Sequence, residues 1–237
     1  TLTHSSAASD VYKRQGETLA DTIRMVSGYT DAVVLRHPRE GAAKLATEFS
    51  DKPIINAGDG AGQHPTQTLL DLFTIRQEMG RLEGLNISLV GDLRYGRTVH
   101  SLAFALSKFG NTINLVSPEG LEMPDEVVEH LESSGQFGVA CHAPEEVISQ
   151  TDILYVTRIQ KERFPDPVEY RKVAGKYQID PELVSQGPDN MIVMHPLPRI
   201  NEITPEVDVM PQAKYFTQAA NGVPVRMALL SMVIGGN

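Results

Sequence analysis

The sequence contains a single cysteine, Cys141, and has no long apolar run. One cysteine cannot form an internal disulfide, so we expect Cys141 to be a small buried residue in a reducing compartment. No apolar run approaches the length of a membrane span, and the first residues lack the hydrophobic stretch of a signal peptide. These absences favour a cytoplasmic protein without a membrane partner.

Positive charge is scarce, with 21 Lys and Arg residues against 30 Asp and Glu residues and a formal net charge of -9. The average field therefore repels phosphate backbones and anionic lipids, which argues against nucleic acid or a membrane surface as a partner. Any anionic ligand must be held by local positive groups. With 237 residues and 41% hydrophobic content, the chain has room for one large domain or two modest ones.

Short apolar runs rich in β-branched residues alternate with helical patterns from Gly16 onward, which predicts an α/β fold with mostly parallel sheets. The predicted strands are Ala32–Leu35, Ile54–Asn56, Ile87–Gly91, Thr112–Val116, Gly138–Cys141, Ile153–Thr157 and Met191–His195. The predicted helices are Glu17–Ser27, Glu40–Phe49, Pro65–Met79, Arg97–Lys108, Asp125–Ser133 and Gln218–Val233. We expect two α/β lobes, each a mostly parallel sheet flanked by helices, joined by the Pro65–Met79 helix and the last helix.

Residues 1–15 show neither helical nor strand periodicity, and the amphipathic pattern begins abruptly at Gly16. Residues 10–15 spell the translation of a common transposase sequencing adapter. We therefore predict that residues 1–15 are a non-native leader and that the true protein extends further upstream. An ordinary frayed terminus is the alternative.

Four arginines follow predicted strands, at the sheet edge where open parallel sheets bind ligands. They are Arg36, Arg97, Arg158 and Arg199. A guanidinium offers a planar fork to carboxylate or phosphate, so their convergence predicts a ligand with several anionic groups. The alternative is that each arginine pairs with a surface carboxylate.

Residues 56–67 form a glycine-rich turn that leads into a helix. The turn fits neither the dinucleotide spacing, because Gln63 takes the last glycine position, nor a Walker motif, because no lysine follows. His64 takes the predicted N-cap position, Pro65 suits the first helical position, and Gln67 lies one turn along the same face. His64 and Gln67 could therefore contact one small group, although a lone histidine at a cap is more often structural.

Two further segments carry polar groups at strand ends. Arg158 and Gln160 point to the same side if the strand continues in extended form, which suits a carboxylate; a solvated strand end is the alternative. In residues 195–199, two prolines stiffen a turn, one of whose proline bonds is a candidate for the cis form. That turn could present carbonyl oxygens to an ammonium group, or it could simply end the strand. No metal-ligand spacing and no nucleophile elbow occur, so metal and covalent mechanisms lack support.

Six segments in order resemble the carbamoyltransferase family, particularly its aspartate-specific branch, over nearly the whole span from Gly16 to Gly236. The segments are GETLADT (16–22), RHPREG (36–41), NAGDGAGQHPTQTLL (56–70), VGDLRYGRTVH (90–100), DILYVTRIQKER (152–163) and HPLPR (195–199). The ornithine-specific branch typically has cysteine where this chain has Pro196.

The resemblance implies an enzyme of pyrimidine biosynthesis that transfers a carbamoyl group from carbamoyl phosphate to L-aspartate without a cofactor. Arg36, His64 and Gln67 would bind carbamoyl phosphate, together with backbone groups of Leu197 and Pro198. Arg36 and His64 would be catalytic, because they polarise the carbonyl oxygen as negative charge builds on it.

The resemblance likewise implies that Arg97, Arg158 and Gln160 bind the two carboxylates of aspartate, while backbone oxygen near Leu197 orients its amine. The family's assembly implies a homotrimer, with regulatory chains as possible further partners.

The resemblance also predicts domain boundaries. Residues 16–63, completed by the helix at 216–237, would form part of the carbamoyl-phosphate domain. Residues 64–80 would be the interdomain helix, and residues 81–215 the aspartate domain.

Two departures from the family pattern concern the first lobe, which we expect to be incomplete. The family's S-T-R-T-R phosphate loop is not found upstream of Gly16, and Gln15 stands where an active-site lysine precedes the G-E-T segment. We therefore expect the chain as written to be nearly inactive. Two alternatives stay open: a carbamoyltransferase with another amine acceptor, and a non-catalytic homologue.

Overall fold

A computed structural model describes residues 16–60, 63–159 and 177–235. The chain divides into two compact units, unit 1 with Thr1–His64 and Arg226–Asn237, and unit 2 with Pro65–Val225. The predicted leader at residues 1–15 and the predicted ligand residue Gln160 lie outside the described residues, so both remain predictions.

Unit 1 contains, within its described part, a pair of parallel strands, two complete helices and the end of the C-terminal helix from Arg226 onward. The elements are α1 (Leu19–Ser27), β1 (Val33–His37), α2 (Ala42–Ala46), a 3₁₀ turn (Thr47–Phe49) and β2 (Ile54–Asp59). Helix α1 begins after Thr18, whose side chain accepts a hydrogen bond from the backbone N–H of Asp21 at 3.2 Å, a typical N-cap. Ile23, Val33 and Ala46 form the buried centre of this unit.

Unit 2 contains a five-stranded sheet in which every neighbouring pair is parallel. Its strands are β3 (Asn86–Val90), β4 (Thr112–Val116), β5 (Phe137–Cys141), β6 (Ile153–Val156) and β7 (Ile192–Met194). The spatial order is β5-β4-β3-β6-β7, so the direction of winding reverses between β3 and β6. In open α/β sheets, this reversal opens a crevice at the carboxyl ends of the two strands.

The sheet of unit 2 is covered on both faces, which explains why its strands read as continuous apolar runs. Leu89 and Val90 pack into different core clusters, because successive side chains point to opposite faces. The helices are α3 (Pro65–Met79), α4 (Arg97–Leu106), α5 (Asp125–Ser133), α6 (Pro181–Val184) and α7 (Tyr215–Ile234), whose residues from Arg226 onward belong to unit 1. Four 3₁₀ turns lie at Ser107–Phe109, Pro144–Glu146, Ile148–Gln150 and Pro205–Val209.

The structure confirms the α/β class and all the predicted strands and helices, with shifts at their ends. Strand β6 ends at Val156 rather than at Thr157, so the predicted strand end was one residue too long. Because Gln160 lies outside the described residues, the prediction that it points to the same side as Arg158 stays a prediction. Strand β1 runs through Arg36 rather than ending before it. The four-residue helix α6 was not predicted, because it is shorter than the window over which helical periodicity can be seen.

Candidate active site

Arg97 and Arg158 lie on either side of the point where the sheet order of unit 2 reverses. Arg97 is the first residue of α4, which follows β3, and its side chain is half-buried. Arg158 follows β6 two residues after Val156 and is also half-buried. Because β3 and β6 are parallel neighbours, both segments leave the sheet at the same edge. Arg97 and Arg158 therefore both follow strands that end at the crevice that this sheet order creates.

A close backbone approach fixes the two segments that lead to these arginines. Gly91 follows β3 with φ +121°, and a Cβ on it would lie 2.4 Å from the carbonyl oxygen of Thr157. Thr157 in turn donates its backbone N–H to the carbonyl of Val90 at 2.7 Å. Only glycine fits this position, since both the dihedral angle and the space exclude a side chain.

The turn after β7 contains a cis peptide bond between Leu197 and Pro198, which confirms the sequence prediction of a cis candidate. The ring of His195 supports the turn from inside: its Nδ1 accepts the backbone N–H of Leu197 at 2.8 Å, and its Nε2 lies 2.8 Å from Glu202 Oε1. A backbone N–H can only donate, so Nδ1 is an acceptor and the proton sits on Nε2. His195 thus supports the turn through both ring nitrogens.

Glu202 is an almost fully buried carboxylate, 4% exposed. Burial by itself would raise its pKa, but the hydrogen bond from His195 and the backbone N–H of Ile200 outweigh burial and lower the pKa to about 2. Asn201 adds a backbone N–H at 3.0 Å. The carboxylate therefore stays ionised and holds the turn from 195 to 202 together.

Gln67, on the first turns of α3, is buried and donates its side-chain Nε2 to Asp71 Oδ1 at 2.9 Å. Asp71 is fully buried and also accepts from Gln218 Nε2 at 2.6 Å and from the Tyr155 hydroxyl at 2.8 Å. Burial, followed by the charge of Asp71, raises the pKa of Tyr155 well above its ordinary value, so this hydroxyl keeps its proton. Gln218 Oε1 accepts the backbone N–H of His195 at 2.8 Å, which connects the group to the turn after β7.

Unit 1 carries the two remaining predicted site residues within the described part of the chain. Arg36 lies in β1 with an exposed side chain, opposite an irregularity where Ala57 and Gly58 of β2 face one residue of β1. His64 immediately precedes α3 and is half-buried. The helix begins at Pro65, as its sequence position predicted.

Asp59 organises the loop that follows β2. Its carboxylate accepts from the Asn56 side chain at 3.0 Å and from the backbone N–H groups of Gly41 and Gln63 at 2.9 and 3.1 Å. Burial would raise the pKa of Asp59, but the hydrogen bonds from Asn56, Gln63 and Gly41 outweigh it and lower the pKa. Asp59 thus links the chain after β1 to the chain before His64.

Arg199 differs from the other predicted arginines, because its guanidinium is already paired with a carboxylate. It forms a two-pronged ion pair with Asp208, donates to the Tyr215 hydroxyl at 3.1 Å, and lies over the rings of Tyr215 and Phe216. The hydrogen bond to Asp208 is the main cause that raises the pKa of Arg199. The alternative of a carboxylate pairing therefore applies to Arg199, which does not belong to the ligand-binding set.

The structure thus distributes the predicted residues over both units. Arg36 and His64 belong to unit 1; Gln67, Arg97, Arg158, Leu197 and Pro198 belong to unit 2. The sequence reasoning missed the supporting groups, which are Asp59, Asp71, Glu202 and Gln218. An acidic residue four positions after Gln67, on the same face of the predicted helix, was a visible signal for Asp71. Nothing local identifies Gln218.

Neither a metal centre nor a membrane-spanning helix is found within residues 16–60, 63–159 and 177–235. No group of three or more His, Cys, Asp or Glu residues there is placed to hold a metal ion. No helix in that part of the chain has the length and apolar character needed to cross a membrane.

Two family models match the chain. The carbamoyl-P binding domain of aspartate/ornithine carbamoyltransferase matches residues 1–77, and the Asp/Orn binding domain of the same family matches residues 83–233. The aspartate carbamoyltransferase catalytic subunit of Methanocella arvoryzae is 56% identical over 232 residues, which cover 98% of this chain and 75% of that protein.

Solved structures agree with the family models. The catalytic subunit of M. jannaschii aspartate transcarbamoylase matches with a TM-score of 0.88 and 55% identity, over 94% of this chain and 72% of that chain. The Trypanosoma cruzi enzyme, solved with N-(phosphonacetyl)-L-aspartic acid, matches with a TM-score of 0.89 and 42% identity, over 98% of this chain and 74% of that chain. The chain therefore belongs to the aspartate/ornithine carbamoyltransferase family.

Proposed function

We propose that this chain transfers the carbamoyl group of carbamoyl phosphate to the amine of L-aspartate, giving N-carbamoyl-L-aspartate and phosphate for pyrimidine biosynthesis. The observation that carries the choice of acceptor is the pair Arg97 and Arg158, on either side of the reversal between β3 and β6. Two guanidinium groups suit the two carboxylates of aspartate, whereas the side chain of ornithine carries a positive charge. The names of the similar proteins agree with aspartate as the acceptor.

The proposed site binds aspartate and orients its amine for attack on carbamoyl phosphate. Arg97, Arg158 and Gln160 bind the carboxylates of aspartate, and the backbone oxygen of Leu197 orients its amine. The nitrogen of the neutral amine attacks the carbonyl carbon of carbamoyl phosphate. The C–O bond to phosphate breaks, and phosphate leaves with its electron pair and takes up the proton that the nitrogen loses. Positioning of the two reactants is the main catalytic contribution, since the reaction needs no covalent enzyme intermediate.

Arg36, His64 and Gln67 bind carbamoyl phosphate in this proposal, with backbone groups of Leu197 and Pro198. Arg36 and His64 stabilise the negative charge that develops on the carbonyl oxygen during the attack. Asp59, which ties the loop before His64 to the chain after β1, supports this part of the site. Its role is to hold the loop in shape.

The proposal extends to the domain organisation, the assembly and the cellular location of the protein. Residues 16–63 with the helix at 216–237 serve the carbamoyl-phosphate domain, residues 64–80 form the connecting helix, and residues 81–215 serve the aspartate domain. The two family models support the boundary near residue 80, because one match ends at residue 77 and the other begins at residue 83. The grouping of Arg226–Asn237 with Thr1–His64 supports placing the end of the last helix with the first domain. We also propose a homotrimer that can bind regulatory chains and a cytoplasmic location, the latter supported by the single cysteine.

A substrate panel tests the proposal. Carbamoyl transfer from carbamoyl phosphate is measured with aspartate and with ornithine, for the chain as written and for a version whose residues 1–15 are replaced by the matching upstream segment of the M. arvoryzae protein. We expect turnover of aspartate and not ornithine by the extended version, and little turnover by the chain as written, where Gln15 replaces the expected lysine. Preference for ornithine, or an inactive extended version, would contradict the proposal.

A further inference from the structure

Gln67 and Gln218 both donate to one oxygen of Asp71, and this arrangement fixes the direction of each side-chain amide. The backbone N–H of His195, which contacts Gln218, can only donate. Gln218 must therefore turn its Oε1 toward His195, at 2.8 Å, and its Nε2 toward Asp71 Oδ1, at 2.6 Å. The orientation of Gln218 follows from the backbone alone.

The orientation of the Gln67 side-chain amide is fixed in the same way, by Asp71. Its Oδ1 accepts from Gln218, and its Oδ2 accepts from the Tyr155 hydroxyl at 2.8 Å. Hydrogen bonds from several donors stabilise the ionised form of a buried carboxyl, and a carboxylate only accepts. The group that Gln67 presents to Oδ1 at 2.9 Å is therefore its NH₂, so its Oε1 points away from Asp71.

We propose that Asp71 is a positioning residue that makes Gln67 present a hydrogen-bond acceptor to the reactant, so that the site selects an acyl phosphate carrying an N–H donor. The inference rests on the proposed function, because it assigns the NH₂ of the carbamoyl group as the partner of Gln67 Oε1. Within the described part of the chain, Asp71 is the hydrogen-bond partner of the Gln67 side chain. An acyl group with a methyl in place of NH₂ would leave this acceptor unsatisfied.

The same hydrogen bonds connect Gln67 to the turn at residues 195–198. Gln218 lies between Asp71 and the backbone of His195, and His195 is itself held by Glu202. Two elements that contact carbamoyl phosphate in the proposed function thus share one buried support in unit 2. Asp71 is the member that accepts from both glutamine amides.

A matched pair of phosphonates measures the selectivity directly. Phosphonoacetamide and acetonylphosphonate have the same charge and differ in an NH₂ against a CH₃. We expect the version with the upstream segment of the substrate panel to bind phosphonoacetamide about tenfold more tightly, because an unpaired buried acceptor is costly; the Asp71 and Tyr155 variants are made in that version. In Asp71→Ala the preference should fall below about twofold, since the Gln67 amide can then turn over.

Two further variants separate hydrogen bonding from packing. Asp71→Asn keeps an oxygen for the two glutamine amides and offers NH₂ to the Tyr155 hydroxyl oxygen, so we expect it to retain the preference. Tyr155→Phe removes a donor to the other oxygen of Asp71 and should lower stability without changing the preference. Loss of the preference in Asp71→Asn, or in Tyr155→Phe, would overturn the assignment.

Hydrogen exchange of the Gln67 side-chain amide, followed by NMR and assigned by its disappearance in Gln67→Met, needs no ligand. The NH₂ protons should exchange slowly in the unaltered chain and in Asp71→Asn, and rapidly in Asp71→Ala. If Asp71→Ala does not fold, the measurement on the unaltered chain still tests the assignment. Exchange of the Gln67 NH₂ protons as fast as that of an exposed side-chain amide would overturn it.

The two measurements separate the possible failures. Unchanged preference and unchanged exchange in folded Asp71→Ala would overturn the role of Asp71 while leaving the proposed function intact. Slow exchange in the unaltered chain, with neither phosphonate bound by the version that carries the upstream segment, would overturn the selectivity role together with the proposed function.

Discussion

Gly91 and Thr157 are in such close backbone contact that a Cβ on Gly91 would lie 2.4 Å from the Thr157 carbonyl oxygen and 2.6 Å from its Oγ1. The two residues follow β3 and β6, the neighbouring strands at which the sheet order reverses. The segments that continue to Arg97 and to Arg158 therefore start from one tightly packed point. Their geometry depends on a position that cannot hold a side chain.

Gly91→Ala should lower the free energy of unfolding by about 3 kcal/mol, because the new methyl group overlaps Thr157 and the φ of +121° disfavours alanine. Urea unfolding measures this change. Gly84→Ala is the matched control, since Gly84 also has a positive φ, of +64°, but no atom lies within 4 Å of the place its new methyl group would take. The control should lose only about 1 kcal/mol, and equal losses in the two variants would show that the Thr157 contact is unimportant.

Arg158→Lys should weaken binding of a dicarboxylate such as succinate by roughly 10- to 100-fold, because an ammonium group cannot form the two parallel hydrogen bonds of a guanidinium. Titration calorimetry gives the affinity. Arg81→Lys, at an exposed position of the same unit, serves as the control and should leave the affinity unchanged. A loss of affinity in the control as large as that in Arg158→Lys would contradict a specific role.

Glu202 should make stability depend on pH in the acid range. Its pKa is lowered in the folded chain from 4.5 to about 2, so its contribution is complete above pH 4.5 and is lost as the pH falls toward 2. The contribution is about 3 kcal/mol. Unfolding measured between pH 7 and pH 2 should show this loss, and Glu202→Gln should be less stable at pH 7 with a flatter profile in that window.

Glu182→Gln is the control for this experiment, because Glu182 is exposed on α6 and its replacement removes the same charge. It should reproduce the acid profile of the unaltered chain. A profile that is equally steep in Glu202→Gln would show that other groups cause the acid sensitivity.

Arg199→Met should lower the free energy of unfolding by about 3 kcal/mol, since it leaves the carboxylate of Asp208 without its guanidinium partner in a half-buried position. Arg24→Met offers a comparison, because Arg24 pairs with Asp21 at 3.7 Å on the surface and should contribute below about 1 kcal/mol. Thermal or urea unfolding gives both values. Similar small losses in the two variants would contradict a structural role for Arg199.

Much of the fold could be predicted from the sequence because parallel strands covered on both faces read as continuous apolar runs. Thr112–Val116, Pro65–Met79 and Asp125–Ser133 have the predicted bounds. The ends of other elements depend on tertiary contacts. Strand β6, for example, ends where its pairing with β3 ends, at Val156 opposite Val90, and no local pattern records this.

The supporting groups of the candidate site were beyond sequence reasoning for a related reason. Asp71 and Gln218 are separated by 147 residues, yet they share a hydrogen bond of 2.6 Å inside unit 2. A pattern of spacing can place Arg97 and Arg158 at a sheet edge, because strand ends define that edge. It cannot show which distant side chain orients Gln67, or that Arg199 forms an ion pair with Asp208.

The proposed function depends most on the edge of the sheet that carries Arg97 and Arg158, where the two carboxylates of aspartate bind. A crystal structure of the chain soaked with N-(phosphonacetyl)-L-aspartate tests it most directly. We predict that the ligand carboxylates lie about 3 Å from the guanidinium nitrogens of both arginines. Carboxylates bound to other groups, with neither arginine in contact, would contradict the account.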